Sequence, residues 1–275
     1  MTSETVPGSE STAERESMVR YSVTGSVAEV VLDAPVKRNA VAAGDLADLV
    51  AALGELAPRA RAGEVRALVF RGEGKAFCAG RDLAGVDVAT DDALGYLAES
   101  VTPAMRAIAD FPAPTFAAAH GAALGVGLGL LLATDVVYVA SDAKFGSPFG
   151  KLGCALDSGG HWEFVERLGV HRTLDLIYTS DFVSGEEAVR AGLFSRAFAA
   201  EELLERTREI AARVAAGPTN AYLADRALVH RIRDERLGFW DALNLENKIQ
   251  GELCQEPNYF EGIAAFQERR SPKFS

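Results

Sequence analysis

Two glycine-rich stretches constrain this chain more than any other feature. The first is Gly72-Glu73-Gly74-Lys75-Ala76-Phe77-Cys78-Ala79-Gly80-Arg81-Asp82-Leu83, and the second is His120-Gly121-Ala122-Ala123-Leu124-Gly125-Val126-Gly127-Leu128-Gly129. Each follows a strand-like run, residues 65–71 (VRALVFR) and 114–119 (PTFAAA), and each leads toward a helix-forming segment. A loop that enters a helix exposes backbone N–H groups with no intrahelical acceptor, and the peptide dipoles there favour negative charge. Two such junctions are able to grip one developing oxyanion.

The chain has 275 residues, 48% of them hydrophobic, enough for one large domain or a domain with a helical appendage. With 28 basic and 39 acidic residues the net charge is -11, which offers phosphate backbones and anionic membranes no general attraction. No nucleic-acid or membrane partner is expected. Cys78, Cys154 and Cys254 are far apart without C-x-x-C spacing, which argues against a zinc site or a disulfide framework and fits a reducing compartment. Cys78 reads as a small buried filler rather than a reactive thiol. Residues 1–17 are polar with no apolar block, and read as a disordered tail rather than a targeting signal. The longest apolar stretch, residues 121–133, is too short to span a bilayer, so a cytoplasmic location is expected.

The order of elements follows from periodicity. Residues 19–23 and 28–32 form a β-hairpin, residues 45–56 a helix, and residues 65–71 a strand. Residues 91–110 read as one helix that ends before Phe111-Pro112. Strand 115–119 leads into the second glycine stretch and a short helix to about residue 133, apolar on every side and therefore central. Residues 135–140 and 143–147 are strands. Helices follow at 161–168, 172–179, 185–191, 201–216, 220–231, 240–254 and 260–269, with one more strand near 194–198.

The motifs K-A-F-C-A-G-R-D-L, H-G-A-A-L-G-V-G-L-G and F-G-S-P-F-G-K-L-G-C-A-L-D-S-G-G (residues 145–160), in that order, resemble the crotonase superfamily, the enoyl-CoA hydratases and isomerases. The resemblance covers residues 18–273. It implies an α/β crotonase (ClpP-like) fold: repeated ββα units forming two roughly perpendicular sheets, and a helical C-terminal region that supports trimers or hexamers. The core acyl-CoA-binding domain would be residues 18–200 and the helical region 201–275. It also implies an acyl-CoA thioester as substrate, with coenzyme A entering as part of that substrate and no separate cofactor or metal.

Motif matching carries the family's two oxyanion donors onto the backbone N–H groups of Arg81 and Val126. Where the family often has three consecutive glycines, Val126 is the middle residue here. A β-branched residue is strained at positive φ, so Val126 is expected at negative φ. The family's two hydratase glutamates fall on Gly129 and Phe149, neither of which titrates. Asp157 matches a position where dienoyl-CoA isomerases and aryl-CoA dehalogenases carry a functional aspartate; beside an apolar acyl pocket its pKa would rise, suiting acid/base work. The alternative for Asp157 or Ser158 is capping the helix through Trp162.

For coenzyme A, the resemblance implies Lys37, Arg38, Lys75 and Ala79 around the first glycine loop, with Phe266 and Arg269 reaching a neighbouring subunit's adenine. Ala84 stands where the family often has a further lysine. Tyr96, Met105 and Trp162 are expected along the acyl pocket. Glu99, Asp91 and Asp92 read as surface charges, and His120 as structural. Double-bond isomerisation with Asp157 as acid/base is the expected reaction; the alternatives are a non-catalytic acyl-CoA binder, or a hydratase, hydrolase or dehalogenase with an unusual acyl group.

Overall fold

The computed structural model describes residues 17–275, so the tail expected over residues 1–17 lies almost wholly outside the described residues. The elements in chain order are β1 (Val19–Thr24), β2 (Val27–Leu32), α1 (Ala43–Arg61), β3 (Ala67–Gly72), α2 (Ala93–Gly95), α3 (Thr102–Ala109), β4 (Thr115–Ala119), β5 (Ala122–Leu124) and α4 (Val126–Leu132). They continue with β6 (Val136–Ala140), β7 (Lys144–Gly146), α5 (Gly160–Leu168), α6 (Val170–Thr179), β8 (Val183–Ser184), α7 (Gly185–Arg190) and β9 (Arg196–Phe198). The last four helices are α8 (Leu203–Ala215), α9 (Thr219–Asp234), α10 (Phe239–Leu253) and α11 (Pro257–Glu268).

Two sheets form the core. The larger has the order β1-β2-β3-β4-β6-β9, antiparallel between β1 and β2 and parallel thereafter. Its strand β4, the T-F-A-A-A run, is buried at every position, as a parallel strand covered on both faces must be. Helix α8 packs across β2, β3, β4 and β6. Its Arg208 reaches Glu29 on β2 with two hydrogen bonds of 2.7 Å, and Arg71 on β3 binds the same carboxylate. Together they hold the Glu29 carboxyl below the usual range even though burial pushes the other way.

The smaller sheet, β5-β7-β8, was only partly legible. Residues 122–124 form a strand inside the second glycine stretch because β7 pairs with them in parallel. Alternation within three residues carries no periodic signal.

The helix expected over 91–110 is three segments. Pro103 has no N–H to donate, and a π turn precedes it at Tyr96–Val101, closed by the Thr102 N–H on the Leu97 carbonyl. The Thr102 hydroxyl donates to the same oxygen at 3.0 Å. Helix α1 likewise runs past its expected end at residue 56, through Pro58 to Arg61. Helix α4 is buried at all seven positions, as its apolar circumference requires.

Candidate active site

The two glycine stretches lie side by side. The Cys78 N–H donates to the Ala122 carbonyl at 3.1 Å and the Leu124 N–H donates to the Cys78 carbonyl at 3.0 Å, a parallel bridge that sets Cys78 opposite Ala123. Three residues further along each strand come Arg81 and Val126. A second bridge fixes how Arg81 faces: Val41 N–H donates to the Gly80 carbonyl and Asp82 N–H to the Val41 carbonyl, each at 2.9 Å. In an extended chain alternate groups point to opposite sides, so the Arg81 N–H turns away from Val41.

Val126 is the first residue of α4. The first N–H to close an intrahelical bond is that of Gly129, on the Gly125 carbonyl at 3.0 Å, so the Val126 N–H has no intrahelical acceptor. The strained backbone falls on the neighbouring glycine: Gly125 has φ 51° and ψ -120°, and Val126 is helical, at negative φ as expected. Helix and loop approach closely at Gly127, where an added Cβ would lie 2.4 Å from the Cys78 carbonyl oxygen. Cys78 itself is fully buried and its thiol is pushed up to about 12 by desolvation, which matches a filler and not a nucleophile.

One buried side chain that the sequence did not mark as a keystone knits the first loop together. Asn39 Nδ2 donates to the carbonyls of Glu73 (2.9 Å), Ala76 (2.8 Å) and Phe77 (3.2 Å), and its Oδ1 accepts from the Ala34 N–H at 2.8 Å. The neighbouring Arg38 carbonyl accepts from Ala79 N–H at 3.0 Å. Arg38, Lys75 and Ala79 are thereby brought into one neighbourhood, with the Arg38 and Lys75 side chains exposed. Lys37 is a different case: its ammonium is bound by Asp45 at 3.0 Å and Asp82 at 3.3 Å, so it serves an internal ion-pair cluster instead of standing free for a ligand's phosphates. His120 is structural, its Nε2 meeting the Gly74 carbonyl at 2.8 Å. Phe266 and Arg269 are exposed at the end of α11, and among the described residues neither side chain has a hydrogen bond or ion pair to the glycine loops.

Asp157 lies in the turn before α5. The cap of that helix is Gly159, without any side-chain hydrogen bond, so neither Asp157 nor Ser158 caps it. The helix-capping alternative for these two residues is therefore set aside. The carboxylate instead accepts the Ser158 hydroxyl at 2.7 Å and is half-buried. Burial raises its pKa; the Ser158 hydrogen bond and the positive charges of Arg81 and His161 pull the other way without cancelling it.

Asp91 is exposed, as read from the sequence, but it is not a free surface charge. It holds the Arg81 guanidinium through two hydrogen bonds, one of 2.9 Å, and that guanidinium lies 4.3 Å above the Tyr96 ring. The Tyr96 hydroxyl donates to the Val41 carbonyl at 3.1 Å, closing a circuit with the strand segment that orients Arg81. The Asp91–Arg81 pair is ten residues apart in a loop region, outside any helical or strand period, so no sequence pattern pointed to it.

The two positions matched to hydratase glutamates hold no acid. Gly129 is buried in α4, and the Phe149 ring lies over the start of that helix, its Cζ 3.1 Å from where a Cβ on Gly125 would stand. Beyond the Asp157 turn opens a cavity of about 810 Å³ bordered by Leu97, Met105, Leu132, Ser158, Gly159 and Trp162. Met105 and Trp162 border this cavity together with the charged Arg106, Glu163, Glu166 and Arg233, while Asp157, Arg81 and Val126 are not among its lining and Tyr96 lies under Arg81 instead. Two amides without a backbone acceptor, a half-buried carboxylate and a cavity beyond its turn are the elements that polarising a carbonyl and moving a proton call for.

Comparison with known proteins identifies the family. The profile described as "Enoyl-CoA hydratase/isomerase" matches residues 22–275. A Rhodobacter capsulatus protein named "Probable enoyl-CoA hydratase" is 36% identical over 262 residues, covering 94% of this chain and 97% of its own. The Escherichia coli "1,2-epoxyphenylacetyl-CoA isomerase" is 31% identical over 215 residues, covering 77% of this chain and 81% of its own. The crystal structure of an enoyl-CoA hydratase from Mycobacterium smegmatis superposes with a TM-score of 0.84 at 28% identity, covering 94% of this chain and 99% of that one. With the paired glycine loops, the two-sheet core and a match spanning nearly all the described residues, the chain belongs to the enoyl-CoA hydratase/isomerase family of the crotonase superfamily.

Proposed function

We propose that this family member is an acyl-CoA isomerase in which Asp157 moves the proton and the N–H groups of Arg81 and Val126 hold the thioester oxygen. The observation that carries the reading is the half-buried Asp157 carboxyl with its raised pKa, in a chain whose two hydratase positions are Gly129 and Phe149. With a 3-enoyl thioester, the Asp157 carboxylate takes a proton from C2. The electron pair moves onto the thioester oxygen as a dienolate, and two N–H donors stabilise that charge as it develops. The carboxylic acid then returns the proton to C4, leaving the conjugated 2-enoyl thioester and the original carboxylate. Nothing is added or lost, so no water is required. The Phe149 ring over the start of α4 favours that outcome, since it sets an apolar wall where a hydratase would hold water.

The Escherichia coli relative is named as an isomerase of a ring-bearing epoxyacyl-CoA, which supports an isomerase reading and a ring-bearing acyl group, though its named reaction is not a double-bond shift. Exposed Arg38 and Lys75, near Ala79, would meet the anionic end of coenzyme A. Phe239, Trp240, Phe260 and Phe266 on the C-terminal helices are largely exposed in the single chain, which supports a trimer or hexamer in which Phe266 and Arg269 meet a neighbour's adenine. The loss of both glutamates favours a second reading, a protein that binds acyl-CoA without turnover.

Ultraviolet absorbance separates the two. Purified protein mixed with a 3-enoyl-CoA should build the absorbance of the conjugated 2-enoyl thioester, and Asp157→Asn should abolish that rise while still binding the ligand. Wild-type rates in the mutant would sink the acid/base role. Tight binding with no absorbance change in either protein, across straight-chain and aryl substrates, would favour the binder.

A further inference from the structure

The turn that carries Asp157 rests on helix α4 at Gly129, and the contact leaves no room for a side chain. A Cβ built on Gly129 would lie 2.4 Å from Ser158 Cβ, 2.9 Å from the Ser158 carbonyl oxygen and 3.3 Å from Ser158 Oγ. The first two are parts of the chain that cannot swing aside. Ser158 is also held at φ 51°, a left-handed conformation that a non-glycine residue keeps only when its surroundings impose it. The turn is closed behind it by the Gly160 N–H on the Asp157 carbonyl at 2.9 Å. On its other side Gly159 faces Met105 of α3, whose Cε would be 3.8 Å from an added Cβ. From this seat the Ser158 hydroxyl donates to Asp157 Oδ1 at 2.7 Å.

We infer that Gly129 is a positioning residue: its bare backbone is the seat that lets Ser158 hold the Asp157 carboxyl at the site. The position that the resemblance assigns to a hydratase acid is therefore occupied in space by the turn that delivers the aspartate. On this backbone any side chain at 129 collides with the turn as it stands, so the bare backbone of Gly129 and the seat of Asp157 go together. The inference rests on the acid/base reading of Asp157 for its catalytic consequence, and on the contacts alone for the seat. The charged and titratable groups facing the carboxyl are Arg81 from the first glycine loop and His161 from α5, with the Tyr96 phenol of the π turn also in its electrostatic range.

The test is a cycle of Gly129→Ala, Ser158→Gly and the double variant, read by melting temperature, by steady-state kinetics and by NMR titration of the Asp157 carboxyl carbon, assigned with Asp157→Asn. Ser158→Gly accepts φ 51° without strain, so its melting temperature should not fall, and its Asp157 should titrate higher for want of the hydroxyl. Gly129→Ala should melt several degrees lower. Its kcat should fall roughly a hundredfold with KM little changed, as expected for a misplaced group. Its Asp157 should titrate nearer an ordinary aspartate, since burial is the larger influence lost. Adding Ser158→Gly to Gly129→Ala removes the 2.4 Å collision, frees the turn to shift from the remaining 2.9 Å contact with the carbonyl, and should restore part of the melting temperature. Additive losses in the double variant, or Gly129→Ala with wild-type melting, titration and kcat, would overturn the seat. A lowered melting temperature with unchanged titration would reduce Gly129 to a packing position and also refute the inference. If Asp157→Asn keeps wild-type turnover, the acid/base reading fails by itself, while the melting cycle and the titration still judge the seat.

Discussion

Replacing Val126 with proline isolates a single backbone N–H. Val126 is the first residue of α4, where proline's fixed φ and missing donor are tolerated, and the first intrahelical bond, Gly129 to Gly125, does not involve its nitrogen. The helix should therefore survive. What is lost is one donor to the thioester oxygen, which in comparable sites costs about 2.7 to 4 kcal/mol, roughly a hundredfold to a thousandfold in kcat. Val126 is only 2% exposed, so packing needs its own control. Val126→Ala keeps the N–H and deletes two methyl groups, a stability cost of about 2 kcal/mol from transfer and cavity terms. Both variants should melt below the wild type by similar amounts. In the 3-enoyl-CoA assay, Val126→Ala should keep kcat within about threefold, whereas Val126→Pro should fall by the full donor loss. Its KM should rise as well, because proline Cδ stands where the hydrogen pointed. A Val126→Pro protein turning over at the Val126→Ala rate would refute the oxyanion role for this residue.

Three further outcomes follow from the same geometry. Burial raises the folded-state pKa of Asp157 above its ordinary value of 3.8, so the stability it contributes is full below that value and is lost as pH rises through the folded pKa. Asp157→Asn should accordingly melt higher than the wild type at neutral pH, the gap closing toward pH 3.8; an equal gap at every pH would show that titration is not its source. Arg81→Gln keeps the backbone donor but removes a cation that lowers the Asp157 pKa, so the acid limb of the rate profile should move to higher pH, and a move to lower pH would contradict the assignment. Asn39→Ala strands the carbonyls of Glu73, Ala76 and Phe77 and the Ala34 N–H. At about 1 to 3 kcal/mol per buried unsatisfied group, urea unfolding should register a loss of about 3 kcal/mol or more, and a loss under about 1 kcal/mol would mean that water replaces the amide easily.

Elements whose own residues carry a pattern were legible. The hairpin of β1 and β2, strand β4, the wholly buried α4 and the C-terminal helices all stand where their residue patterns placed them, within a few positions. Elements made by partners were not. Strand β8 has two residues and exists because β7 pairs with it, and β5 is a strand only beside β7. The π turn at Tyr96–Val101 interrupts a run whose apolar spacing still looked helical.

The sequence by itself determined the family, and it put Gly129 and Phe149 at the two matched positions and suggested the donor positions proposed here, because those rest on residue identity and on order along the chain. It also required Val126 to avoid positive φ, a constraint carried by its own β-branched side chain. Tertiary structure alone decided which charges are free and which are taken. Lys37 is drawn to Asp45 and Asp82, Asp91 to Arg81, and the Asp157 turn settles onto Gly129. Each of these depends on distances between segments remote in sequence, and a charge's partner, like the space next to a glycine, is set only when packing fixes those distances.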